Sequence, residues 1–116
     1  MGVVIMDLVW GCGLTEGRKV ASLCDTHGIP FAAHDCTGPV ALTASTHIAL
    51  QAPNVFIQEV VRAFYYGWHG DLITTLPPIE NGYIKAPDGP GLGLSLNPAA
   101  LTRPDARIRK SELPVT

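Results

Sequence analysis

The sequence predicts an α/β fold built on parallel strands, and three observations carry that prediction. Three short apolar runs, Val3–Met6, Ile29–Ala33 and Val55–Ile57, are continuous and do not alternate, the pattern of strands buried on both faces. Stretches with helical start and stop signals separate them. Each run also stops at an ionisable residue, at a spacing close to one strand-plus-helix repeat of a parallel sheet.

The elements follow in order. The first run ends at Asp7. In the helix after it, Thr15 serves as N-cap, Val20, Leu23 and Cys24 form an apolar stripe, and Gly28 is the stop. The second run ends at His34. Pro39, suited to a first helical turn, opens a helix to Gln51. Val40, Ala41, Ala44, Ile48 and Ala49 make that helix apolar over much of its circumference, and Ala52-Pro53-Asn54 ends it.

The third run ends at Gln58-Glu59, and the rhythm then changes. Ala63–His69 is aromatic-rich without a period, and packing beneath a surface helix is preferred to a loop folded over the strand ends. Ile79–Ile84 is expected to be a hairpin on Asn81-Gly82. Ala86–Gly93 is expected to be a structural loop: its glycines suit a phosphate cradle, but Pro90 lacks an N–H and no strand-to-helix context follows. Asn97-Pro98 starts a short helix through Leu101, and Arg107-Ile108-Arg109 alternates like an edge strand with a solvated charged face.

Composition narrows the function classes. The chain has 116 residues, 47% hydrophobic and 16% charged, which is globular and of the size of one small domain. A net charge of −2 gives no electrostatic reason to expect nucleic acid or an anionic membrane as partner. No apolar run approaches the roughly 20 residues needed to cross a bilayer. The N-terminus carries no basic region or small-residue cleavage pattern, so no signal peptide is expected. The odd count of three cysteines, Cys12, Cys24 and Cys36, fits a reducing compartment, and the cytoplasm is the expected location. With no C-x-x-C pair, the thiols are read as incidental and not as metal ligands.

The chemistry is expected where the three runs stop. Asp7 and His34 are 27 residues apart and His34 and Glu59 are 25 apart, which puts all three at carboxyl ends of neighbouring strands. That rim is where chemistry occurs in (β/α) barrels and open α/β sheets. Neighbouring strands lie about 4.8 Å apart, so side chains at matching heights touch. A carboxylate beside an imidazole fixes its tautomer and raises its basicity, and a second acid across the rim can hold or donate a proton. Asp7, His34 and Glu59 are therefore the candidate catalytic residues of an acid–base site. A thiol site on Cys12 or Cys36 is the lesser alternative, since Cys36 lies two residues from His34.

At these residues the sequence resembles the C-terminal part of the enolase superfamily, in the branch of mandelate racemase and acid-sugar dehydratases such as galactonate dehydratase. The stretches that carry the resemblance are MDLVWGCGLTEGRKVASLCDTHGIPFAAHDCTGPVALTASTHIAL, NVFIQE and NGYIKAPDGPGLG, which together cover nearly the whole chain. The resemblance implies a modified TIM-type (β/α) barrel beside a capping domain. Residues 1–78 would be a partial barrel, with 1–59 matching its sixth to eighth strands, and 79–116 would be the hairpin and tail that return to the capping domain. It also implies roles: His34 as general base or acid, Asp7 as its dyad partner, and Glu59 as a hydrogen-bonding support for an enediolate intermediate.

Other implied parts have no counterpart here. The family holds Mg²⁺ through carboxylates on its third, fourth and fifth strands, so no metal ligand is expected in this chain, and no substrate-binding residue is assigned. Abstraction of a proton alpha to a carboxylate relies on Lewis-acid stabilisation of several kcal/mol, roughly, which Asp7 and Glu59 cannot replace because they add negative charge. Three parallel strands also leave both sheet edges open in a fold that normally closes. The expectation is a fragment of a Mg²⁺-dependent acid-sugar dehydratase, a carbon–oxygen lyase that is inactive alone and homo-oligomeric at full length, with a small sugar acid as its partner. The alternatives are a racemase or epimerase of the same superfamily, and a noncatalytic truncated barrel module.

Overall fold

The computed structural model describes residues 2–110, apart from the side chain of Cys12. The end of the expected C-terminal tail, residues 111–116, and the Cys12 thiol therefore lie outside the described residues. Strands β1 (Val4–Met6), β2 (Phe31–Ala33) and β3 (Val55–Gln58) form one parallel sheet in the order β1-β2-β3. Helix α1 (Gly13–Thr26) connects the first pair and α2 (Pro39–Gln51) the second.

Val4 pairs with Phe31 and Met6 with Ala33, and these four side chains meet the helices. Leu8, Ala21, Phe31, Ala33, Ile48 and Ala52 form the core, with Val4, Met6 and Ala44 packed against it. Helix α2 is buried on several sides, and its Thr43 and Thr46 are accommodated by donating to the carbonyls of Pro39 and Leu42, both at 2.8 Å.

Three details of the expected core change. Only β2 is buried throughout; Ile5 of β1 and Phe56 and Ile57 of β3 are more than half exposed. Ile5, Ala32 and Ile57 share register and face away from the helices, while Phe56 is the extra residue of a bulge in β3. In α1 the buried face is Gly17, Ala21 and Cys24, and Leu23 is exposed. Thr15 is not the N-cap: Asp7 caps a π-helical turn, Leu8–Cys12, that leads directly into α1.

The stop at Gly28 is as the sequence predicts. Gly28 has φ +63°, its N–H donates to Asp25 O at 2.9 Å, and the Ile29 N–H donates to Cys24 O at 2.8 Å. These are the two bonds of a Schellman motif, which needs the left-handed conformation that glycine adopts without penalty.

After β3 come two one-turn helices, α3 (Arg62–Tyr65) and α4 (His69–Leu72), joined by packed rings: Phe64 and Trp68 lie 5.3 Å apart, and Trp68 and His69 4.6 Å. The hairpin forms as β4 (Ile79–Glu80) and β5 (Tyr83–Ile84), with Asn81 and Gly82 both at positive φ as its turn requires. Residues 86–93 are a loop, fastened to α2 where His47 Nε2 meets Leu92 O at 3.1 Å. Asn97 Oδ1 accepts from the Ala99 N–H at 3.1 Å and caps α5 (Pro98–Leu101). The strand expected at Arg107–Arg109 does not form; these residues are exposed and meet no ladder partner among the described residues. No helix among the described residues is long and apolar enough to cross a membrane.

Phe31 is fully buried at the centre of this core. Phe31→Ala is expected to lower the unfolding free energy by about 3–5 kcal/mol, read from urea denaturation. A loss below about 1 kcal/mol would place the packing centre elsewhere.

Candidate functional site

Each of the three strand ends carries its ionisable side chain onto the same rim. The sheet ladder continues one residue past each strand: the His34 N–H donates to Met6 O at 3.0 Å, and the Glu59 N–H donates to Ala33 O at 3.2 Å. Backbone bonds therefore fix the heights at which the side chains leave the sheet.

Asp7 is held from both oxygens. Its Oδ1 accepts from the N–H groups of Val9 at 2.7 Å and Trp10 at 2.9 Å. Its Oδ2 accepts from the Thr37 hydroxyl at 3.0 Å and lies 3.1 Å from His34 Nδ1. Partial burial pushes the Asp7 carboxyl upward, but the bonds from Trp10, His34, Thr37 and Val9 together outweigh it and hold the pKa below the ordinary 3.8. Asp7 is thus ionised near neutral pH and can only accept, which places the imidazole proton on Nδ1 and leaves the Nε2 lone pair free.

Glu59 stands on the other side of the ring, with Oε2 3.7 Å from His34 Nε2. The same oxygen accepts from the Asp35 N–H at 3.0 Å, which orients it. Side-chain exposure rises from 14% at Asp7 to 34% at His34 and 45% at Glu59, so solvent or substrate reaches the Nε2 side of the ring. The structure thus brings the three sequence-predicted residues together around one imidazole.

Sequence reading raised Cys36 only as a lesser thiol alternative, and it missed Thr37 and Asp35 as supports of the site. Thr37 clamps Asp7, and Cys36 Sγ lies 3.7 Å from His34 Nδ1. Asp35 is buried; its backbone holds Glu59, and its Oδ2 accepts from the Val61 N–H at 3.1 Å. Burial raises the Asp35 pKa, while the Val61 bond and the charge of His69 oppose the rise. His69 is fully buried, and neither ring nitrogen has a hydrogen-bond partner among the described residues; Asp35 Oδ1 has none among them either. Burial pushes the His69 pKa below 6.5 against the pull of Asp35. The signal for Thr37, Cys36 and Asp35 was their adjacency to His34 in HDCT; His69 carried none, because it sits in an aromatic run. An apolar groove of about 560 Å³ lies beside Thr37, lined by Leu8, Val9, Leu14, Val40 and Trp68; its chemistry does not suit a polyhydroxylated acid.

The fold and this rim define a parallel (β/α) segment with an acid–base cluster at the carboxyl ends of its strands. Residues 1–100 match the model of the enolase C-terminal domain-like family, and the chain belongs to that family. It is 36% identical over 95 residues to a D-xylonate dehydratase of Haloferax volcanii, covering 82% of this chain and 23% of that protein. It is 32% identical over 108 residues to a D-galactonate dehydratase of Xanthomonas campestris pv. campestris, covering 89% and 28%. An enolase of the mandelate racemase subgroup from Agrobacterium tumefaciens, known from its crystal structure, is 52% identical with a TM-score of 0.79, covering 84% of this chain and 26% of that one. The chain thus spans about a quarter of the length of the curated relatives it matches.

The magnesium that the resemblance implies does not fit the donors at this rim. Magnesium demands roughly six oxygen ligands in octahedral array, whereas the set whose donor atoms converge within 4.8 Å here is one carboxylate, one imidazole and one thiol, and Glu59 adds only one more carboxylate across the ring.

The buried histidine sets a pH dependence. A depressed folded pKa means that the unfolded chain takes up the proton first, so stability is present above 6.5 and is lost as pH falls through the folded value. Asp35 has the opposite sign: its raised pKa contributes stability present below 3.8 and lost as pH rises through the folded value. His69→Phe is expected to flatten the acid loss that begins near pH 6.5, measured as urea midpoints across pH; an unchanged slope would mean that His69 is not its source.

Proposed function

We propose that this chain supplies the acid–base face of an acid-sugar dehydratase, a carbon–oxygen lyase of the enolase superfamily, acting within a longer polypeptide. The single observation that supports this reading most is the clamped imidazole: Nδ1 lies 3.1 Å from an ionised Asp7 and Nε2 is directed to the accessible side. His34 Nε2 takes the proton alpha to the substrate carboxylate, breaking the carbon–hydrogen bond. Asp7 stabilises the imidazolium that forms. The β-carbon–oxygen bond then breaks, and the imidazolium returns its proton to the departing hydroxyl, which leaves as water. The immediate product is an enol, which takes a proton at the β-carbon and loses its hydroxyl proton to become a 2-keto-3-deoxy acid, so that atoms and charge balance. Glu59, across the ring from Asp7, is the side chain placed to support the enediolate by hydrogen bonding.

The dehydratase names of the two curated relatives favour loss of water over simple inversion. The mandelate racemase subgroup relative keeps racemisation or epimerisation by the same dyad as the second reading. Products separate the two, since a racemase conserves the mass of its substrate. No step is assigned to magnesium, whose ligands would come from residues other than these.

In a full-length protein carrying this chain, His34→Asn is expected to lower both dehydration and solvent-deuterium exchange at the alpha carbon by about 10²–10⁴-fold. Asp7→Asn is expected to lower both by on the order of 10²-fold or more, because an amide can donate to Nδ1 and drive the proton to Nε2. Wild-type turnover in His34→Asn would end the assignment.

A further inference from the structure

We propose that Asp7, His34 and Cys36 form a binding site for a thiophilic divalent cation, zinc above all. Each residue offers one ligand atom, and these atoms all lie within 4.8 Å of one another. His34 Nδ1 is the shared corner, 3.1 Å from Asp7 Oδ2 and 3.7 Å from Cys36 Sγ. Zinc bonds of about 2.1 Å to nitrogen or oxygen and about 2.3 Å to sulfur, set tetrahedrally, give nitrogen–oxygen and nitrogen–sulfur edges of about 3.4 Å and 3.6 Å. Both observed distances are close to those edges, so a cation can replace the Nδ1 proton with little motion of the ring. Cys36 is exposed, which leaves its thiol able to swing the remaining distance toward Asp7.

The donor set selects the metal. A thiolate, an imidazole and a carboxylate are zinc's ordinary ligands, and the open rim leaves the fourth position to water. The surroundings are those of a metal-binding histidine. With Nδ1 metallated the ring proton sits on Nε2, and Glu59 Oε2, 3.7 Å away, is the carboxylate that faces it. Thr37 and the N–H groups of Val9 and Trp10 hold the Asp7 carboxylate in place.

A spacing scan misses such a site, because two ligands form an H-x-C pair and the third lies 27 residues upstream, brought in by β1 beside β2. Binding here does not depend on what His34 does in catalysis. It does have a consequence there: a ring carrying its proton on Nε2 is not a base, so cation occupancy and proton abstraction exclude one another.

The test is titration of the reduced 116-residue chain with cobalt(II), followed by ultraviolet absorption. One saturable equivalent with a thiolate-to-cobalt charge-transfer band is expected, displaced by zinc. Its affinity is expected to fall about tenfold or more per pH unit toward acid, since the thiol must release its proton. Cys36→Ser should abolish the band, Asp7→Asn should weaken binding at least tenfold, and Cys24→Ser should leave it intact. The unmutated chain gives a second reading, because bound zinc should protect Cys36 from iodoacetamide, as located by peptide mass. No saturable band, a band that survives Cys36→Ser, or Cys36 alkylated at the same rate with zinc bound would each overturn the proposal.

Discussion

The hydrogen bond between Asp7 and His34 is the interaction on which the rest of this rim depends. It spans 3.1 Å between residues 27 apart in sequence, and it exists only because β1 and β2 pair in parallel and in register. One residue of slip would move His34 to the opposite face of the sheet. The register is set below the rim, where Val4, Met6, Phe31 and Ala33 face the helices and bury together. Packing in the core thus decides electrostatics at the surface.

Asp7 has two tasks that share one carboxylate. Through Oδ1 it satisfies the free N–H groups that begin the π-helical turn, and through Oδ2 it holds the imidazole. The N–H bonds that cap the helix are also among those that keep its charge at neutral pH. Local structure and site chemistry are in this way one set of bonds. Glu59 is held differently, by the Asp35 backbone, and the Asp35 side chain in turn is buried and feels the charge of His69. A single tetrapeptide, HDCT, therefore supplies the imidazole, the support for Glu59, the thiol and the clamp on Asp7.

Much of this was legible in the sequence because apolar runs and their stops are local signals. The three strands, the helix from Pro39 to Gln51, the Schellman stop at Gly28 and the Asn81-Gly82 hairpin follow from residues within a few positions of each element. What stayed hidden depends on partners far along the chain. Leu23 has the right chemistry for a core stripe, but Gly17, Ala21 and Cys24 allow closer approach and take the buried face. Asp7 competes with Thr15 for the helix start and wins by caps that no helical period reports. His69 is buried without a hydrogen-bond partner among the described residues, inside a run that reads as plain aromatic packing. The sheet face of Ile5 and Ile57 is apolar, yet the helices lie on the other side.

The central claim is that an ionised Asp7 fixes His34 with its proton on Nδ1 and its lone pair on Nε2. Long-range nitrogen–proton correlation NMR of the imidazole reads that tautomer directly, near neutral pH and without added metal. A protonated Nδ1 and a pyridine-like Nε2 are predicted, shifting toward the opposite tautomer in Asp7→Asn. A neutral ring protonated on Nε2 in the unmutated chain would contradict the account.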